Sequence, residues 1–157
     1  MPATATMDFA IELNPKFRYR STVHWDELDA LRMLHNSRFA AHIERATIAF
    51  YETLGHRWET SVADNPDQYQ VVRDLHIEFL APVSRPGPLD IELWVERLGT
   101  SSCVYGFRCT NADGTTTHAR GDRTIVKLDP ATKRPAPWTE TFLRAHRELR
   151  KDLPSAP

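Results

Sequence analysis

The hydrophobic period of this chain changes from two to between three and four near residue 37, and that change limits the folds open to it. Phe17, Tyr19, Val23 and Trp25 fall on one face of an alternating segment, with Arg18, Arg20, Thr22 and His24 on the other. Asp26 to Leu34 breaks the alternation. From Ser37 to Leu54 the step becomes helical, with Phe39, Ile43, Ala46, Phe50 and Leu54 in line. Asn36 reads as the N-cap of this helix and Gly55 as the residue just beyond its C-terminus.

After a polar loop from His56 to Gln68, alternation returns and persists. Val71, Leu75, Ile77 and Phe79 define one apolar face, and Leu89, Ile91, Leu93 and Val95 a second. Between them Pro82, Pro86, Gly87 and Pro88 punctuate a turn. Cys103, Tyr105, Phe107 and Cys109 form a further face, followed by a hairpin turn at Asn111-Ala112-Asp113-Gly114. Thr115 to Leu128 reads as the last strand, with Gly121 marking a bulge or close backbone approach. Trp138 to Lys151 suggests a short helix with Phe142 and Leu143 turned inward. The predicted order is strand, long helix, then four strands with meander-like connections. This is an α+β series: one curved antiparallel five-stranded sheet wrapped around a long central helix, not the parallel sheet of a βαβα series. Such a sheet leaves edge strands exposed, so a homodimer or homotetramer is expected.

Bulk properties narrow the function classes. With 157 residues, a formal net charge of -1 and no long basic run, neither nucleic acid nor a membrane surface is expected as a main partner. No apolar run approaches the length of a membrane span. Cys103 and Cys109 lie six positions apart in one strand, too far to bridge each other, and no Cys/His spacing suits zinc. No metal site is expected. The first dozen residues have neither a basic n-region nor a long apolar h-region, so a cytoplasmic protein is expected. The expected division is a flexible N-terminus over 1–12, one domain over 13–152 and a flexible tail over 153–157.

Chemistry is concentrated between residues 24 and 55. An extended segment ends in a carboxylate-rich turn, and the helix opens seven residues after Asp29. A carboxylate there lies near the exposed amides of a helix N-terminus. Those amides can polarise a carbonyl while the carboxylate attacks it or activates water. Glu27 reads as a solvated or ion-paired acid, and His35 as a turn histidine or an assistant to the site. No G-x-S-x-G elbow surrounds any serine, which removes the serine-hydrolase reading.

The 23–39 segment VHWDELDALRMLHNSRF resembles the hotdog-fold acyl-CoA thioesterases of the 4-hydroxybenzoyl-CoA thioesterase type. Their signature runs roughly aromatic-x-D-x-D-x-x-G-H-x-N-x-x-x-Y, followed by a helix with an acid in its middle. Glu27 and Asp29 take the acidic positions, Phe39 the aromatic one and Glu44 the mid-helix acid. The likeness continues through DLHIEFLAPV, ELWVERLGTSS and RTIVKLD. Arg32-Met33 stands where the signature has Gly-His, His35 where it has an Asn, and Thr47 where a helical Arg often follows the acid.

The resemblance implies a hotdog fold and hydrolysis of an acyl-CoA or acyl carrier protein thioester, with no cofactor beyond the coenzyme A of the substrate. Asp29, Asn36 and Glu44 are then the expected catalytic residues, Asp29 as nucleophile or general base and Asn36 through its backbone N–H. His35, Arg32 and Met33 are expected to contact substrate. Arg85, Arg97, Arg120 and Arg123 are unassigned candidates for phosphate. The alternative is a noncatalytic acyl-thioester or small-ligand binding protein of the same fold. A hydratase would need a His five residues after Asp29, where this chain has Leu34.

Overall fold

A computed structural model describes residues 17–58 and 61–150. The expected flexible ends, 1–12 and 153–157, lie outside the described residues.

Strand β1 (Phe17–Val23) is followed by a 3-10 turn at Trp25–Glu27 and helix α1 (Asn36–Thr53). Then come β2 (Gln70–Phe79), β3 (Gly87–Leu98), β4 (Ser102–Thr110), β5 (Thr117–Lys127) and helix α2 (Glu140–Glu148). The five strands form one antiparallel sheet in the order β1-β3-β4-β5-β2. Helix α1 lays Phe39, Ile43 and Ala46 on its inner face, against Leu89, Ile91, Leu93 and Phe107. A second cluster around Phe50, Tyr105, Trp138 and Phe142 docks α2. Both cysteines are buried thiols.

The sheet order corrects the expected meander. Strands β3, β4 and β5 are successive neighbours, but β2 pairs with β5 at the far edge while β3 pairs with β1. Residues 80–86 therefore cross the sheet rather than close a hairpin. Proline and glycine marked the break, but a local break carries no information about direction.

Other departures have identifiable causes. Trp25 is 75% exposed, because β1 ends at Val23 and the 3-10 turn rotates the indole away from the apolar face. On β3 the polar face is buried too: Asp90 and Glu92 are each 1% exposed. Arg20 covers Asp90 at 2.7 Å, while Arg18 and Arg108 hold Glu92 at 2.6 and 2.5 Å. The last strand starts at Thr117 because Thr115 and Thr116 close the Asn111 turn. Gly121 does mark a close approach: a Cβ there would lie 1.9 Å from the His76 carbonyl oxygen.

Candidate functional site

The turn between β1 and α1 is a small closed unit. Leu28 bridges Leu34, the Asp29 N–H donates to the Met33 carbonyl at 2.8 Å, and the Arg32 N–H donates back to Asp29 at 2.9 Å. Inside it, Asp29 Oδ1 accepts the N–H groups of Leu31 at 2.8 Å and Met33 at 3.2 Å. One oxygen thus does the turn-capping work expected of any loop aspartate. The other, Oδ2, carries no hydrogen bond among the described residues, and it belongs to a carboxylate whose orientation is already fixed.

Arg32 closes this turn with φ +58°, a left-handed conformation for a residue with a Cβ. Its side chain is exposed and does not line the hollow next to Asp29.

The start of α1 corrects the cap assignment. His35, not Asn36, is the N-cap: its Nδ1 accepts the Ser37 N–H at 3.2 Å, and its φ and ψ are extended. The Ser37 hydroxyl lies 2.8 Å from the same nitrogen. Imidazole served where an Asn was expected because any acceptor two atoms beyond Cβ can reach the second helical amide. Asn36 is the first helical residue, and its N–H has no acceptor among the described residues.

These groups share one hollow of about 470 Å³. Asp29, Met33, His35 and Asn36 line its polar end, and Phe39, Phe79 and residues 80–83 line the rest. The rings of Phe39 and Phe79 meet edge to face at 5.3 Å. The 80–83 strap is held from two sides. Its Leu80 and Ala81 N–H groups donate to the His118 carbonyl at 2.9 and 3.2 Å, and its Val83 carbonyl accepts the Leu34 N–H at 2.8 Å. A carboxylate, a free helix-terminal amide and an apolar chamber can together hold an acyl group with its carbonyl carbon against the carboxylate.

Four of the six residues expected at the site are thus together. Arg32 is not among the lining residues, and neither is Glu44. Two helical turns from Asn36, about 12 Å along the axis, Glu44 lines a separate pocket of about 140 Å³ with Tyr51, Gln70 and Arg123. There Arg123, 8% exposed, reaches Glu44 Oε1 at 3.2 Å and the Thr47 hydroxyl at 3.4 Å. A guanidinium from β5 therefore stands beside the helix position where the resembled family often has an arginine. A hollow of about 680 Å³ on the other face of the sheet contains none of the six expected catalytic and substrate-binding residues; Arg97 and Arg120, two of the unassigned phosphate candidates, line it. Some of its charges pair with one another, as in Arg120–Glu78 at 2.6 Å.

Sequence reasoning missed His42 and the burial of Glu27. His42 is fully buried, and Glu27, only 6% exposed, lies 3.1 Å from its Nε2 rather than in solvent. The spacing carried a signal: Phe39, His42 and Ala46 continue the three-and-four step of the buried stripe. Among the described residues no group of three or more His, Cys, Asp or Glu is placed to hold a metal ion.

The profile of the thioesterase superfamily matches residues 31–118. The acyl-CoA thioester hydrolase YbgC of Escherichia coli O6:H1 is 26% identical over 120 residues, covering 76% of this chain and 87% of that protein. Among solved structures, the PA2801 protein of Pseudomonas aeruginosa superposes with a TM-score of 0.72 at 26% identity, over 82% of this chain and 96% of that one. A thioesterase of Thermus thermophilus, solved with coenzyme A and zinc, gives a TM-score of 0.70 at 25% identity, over 88% and 96%.

Proposed function

The chain belongs to the thioesterase superfamily and is a thioester hydrolase, and from that premise we propose that it cleaves acyl-CoA thioesters in the hollow beside Asp29. The observation that carries the reading is the shared chamber: a carboxylate fixed through Oδ1 and open at Oδ2, the free N–H of Asn36, and the apolar wall of Phe39 and Phe79.

In the proposed reaction the acyl group enters between Phe39 and the 80–83 strap, and the thioester oxygen meets the Asn36 N–H. The positive end of α1 favours the negative charge that develops on that oxygen. Asp29 Oδ2 then attacks the carbonyl carbon, or takes a proton from a water that does so. Either route ends in R–COOH and the free thiol of coenzyme A, with one water consumed. The reaction so written draws on no cofactor beyond the coenzyme A of the substrate. His35 and Met33 border the bound acyl group at the polar end. Glu44 acts from its own pocket only if a second subunit brings that pocket to the substrate.

Such a subunit has a place to bind. Strand β2 is a sheet edge, and Val71, Val72, Leu75 and Phe79 on it are 37–51% exposed. Edge pairing of two copies would cover them and give a homodimer. No helix among the described residues is long and apolar enough to cross a membrane, and a cytoplasmic enzyme is proposed.

The test is thiol release from purified protein across short-chain, long-chain and aromatic acyl-CoAs. Turnover of at least one class is expected, and Asp29→Ala should reduce it by at least about 10³-fold with the fold unchanged by circular dichroism. No turnover across the panel rejects the proposal, and full activity of Asp29→Ala rejects the assigned residue.

A further inference from the structure

Beneath the Asp29 turn lies a chain of three buried polar side chains that the proposed reaction does not use. Ser21 Oγ on β1 is 2.6 Å from His42 Nδ1 on α1, and His42 Nε2 is 3.1 Å from Glu27 Oε1 in the 3-10 turn. Exposures are 3%, 0% and 6%. The order Ser–His–Glu is that of a hydrolytic triad, but at these exposures no substrate reaches the hydroxyl, so nucleophilic catalysis is not its role.

Proton counting fixes the direction of the chain. The Glu27 carboxylate 3.1 Å away favours the proton of a neutral His42 on Nε2 as an electrostatic contact, without hydrogen-bond alignment, and Nδ1 then accepts from Ser21. Arg45, 3.3 Å from Nδ1 and 3.9 Å from Glu27 Oε1, fits the same assignment as a second donor. Burial pushes His42 below the ordinary histidine range, against the opposing pull of Glu27, which keeps the ring neutral.

Glu27 is also where three pieces of backbone meet. Its Oε2 accepts the His24 N–H at 2.8 Å, and its own N–H donates to the His24 carbonyl at 3.1 Å. Its carbonyl accepts the N–H of His35, the cap of α1, at 3.0 Å. Its carboxylate reaches the second turn of α1 through His42. The end of β1, the Asp29 turn and the helix N-terminus are therefore tied to one residue, two positions before Asp29.

We propose that Glu27 and His42 are positioning residues: held together in the core, they fix the Asp29 turn against α1 and so set the distance between the Asp29 carboxylate and the Asn36 N–H. This rests on the reading of Asp29 and Asn36 as the reacting groups. A misplacement of about 1 Å at a reacting centre can cost on the order of a hundredfold in rate, which is the sensitivity such a tie controls.

Two readouts on the full chain test it. The first is independent of activity: amide hydrogen exchange over residues 28–36, with β4 as internal reference. Glu27→Ala should exchange at least about tenfold faster there, with β4 unchanged. Glu27→Gln should behave as wild type. The glutamine oxygen can accept from His24 while its amide donates to His42 Nε2, and the ring proton moves to Nδ1 and is given to Ser21.

The second readout is steady-state turnover of an acyl-CoA that the wild type hydrolyses. Glu27→Ala should lose at least about tenfold in kcat with KM within about threefold, and Glu27→Gln should keep both. Should Glu27→Ala fail to fold, His42→Leu carries the same expectations, with His42→Gln as its rescue. Wild-type exchange over 28–36 in a folded Glu27→Ala or His42→Leu protein overturns the inference. A loss in Glu27→Gln as large as in Glu27→Ala overturns it as well. If the wild type hydrolyses no acyl-CoA, the functional reading fails, and the exchange data alone still decide the positioning role.

Discussion

His35 Nδ1 accepts the backbone N–H of Ser37 at 3.2 Å, so an imidazole, not the neighbouring amide of Asn36, closes the helix end at the site. The two residues therefore separate in experiment. Removal of a capping side chain costs about 1 kcal/mol, whereas an exposed first-turn side chain without a bond is worth within about 0.5 kcal/mol. Urea denaturation should show the larger loss for His35→Ala and almost none for Asn36→Ala. His35→Asp, which restores an acceptor, should recover wild-type stability.

Arg32 is the strained residue of the turn. The left-handed conformation costs a residue with a Cβ about 1–2 kcal/mol, and a glycine in its place loses about 0.5–1 kcal/mol more chain entropy on folding. The difference favours glycine, so Arg32→Gly should raise the unfolding free energy by about 0.5–1 kcal/mol. The arginine side chain lies outside the hollow, so KM for an acyl-CoA should stay within about threefold of wild type. A large change in KM would show that the guanidinium contacts substrate.

Stability should fall in acid through His146. This ring is fully buried, accepts from the Tyr105 hydroxyl at 2.5 Å through Nε2 and donates from Nδ1 to the Phe142 carbonyl at 2.8 Å. Burial pushes its pKa down to about 4, against about 6.5 for the unfolded chain. Between those values the unfolded state binds the proton and the folded state does not, so stability is intact above pH 6.5 and declines as pH falls toward 4. The full contribution is about 3 kcal/mol. His42 is shifted in the same direction and adds to the decline. His146→Gln keeps an acceptor for Tyr105, and its urea midpoint should change less between pH 7 and pH 4.5 than that of wild type.

The proposed dimer rests on the β2 edge. Val72 is 47% exposed beside the register shift between Val72 and Asp74. A lysine there would bring two like charges together across a symmetric edge pairing. Light scattering should give twice the chain mass for wild type and the mass of one chain for Val72→Lys. A wild-type monomer would count against the dimer.

What could be read in the sequence was local. The helix from Asn36, the turn at Asn111–Gly114 and the inward Phe142 each follow from spacing or turn chemistry within a few residues. The placement of Asp29 beside the start of that helix was legible too. What escaped was set by partners far along the chain. Alternation identified β2 and β3 but not their neighbours, and the burial of Asp90 and Glu92 depends on Arg18, Arg20 and Arg108, which no local pattern connects to them. Glu27 read as an ordinary acid because its partner, His42, is a polar residue on an apolar helix stripe, and periodicity counts only apolar ones.

The strap over the hollow gives the order of the chain a consequence for synthesis. Among the described residues, all that line the hollow precede position 84, and the strap's strand pairs only with β5, yet the strap is anchored by the carbonyl of His118. A nascent chain that has emerged through β4 carries all of the chamber's residues but lacks the His118 anchor of its strap. Loop-closing contacts of this range form late. A truncation ahead of His118 would therefore abolish the chamber without removing one residue that lines it, and turnover becomes a readout of whether the last strand has joined the sheet.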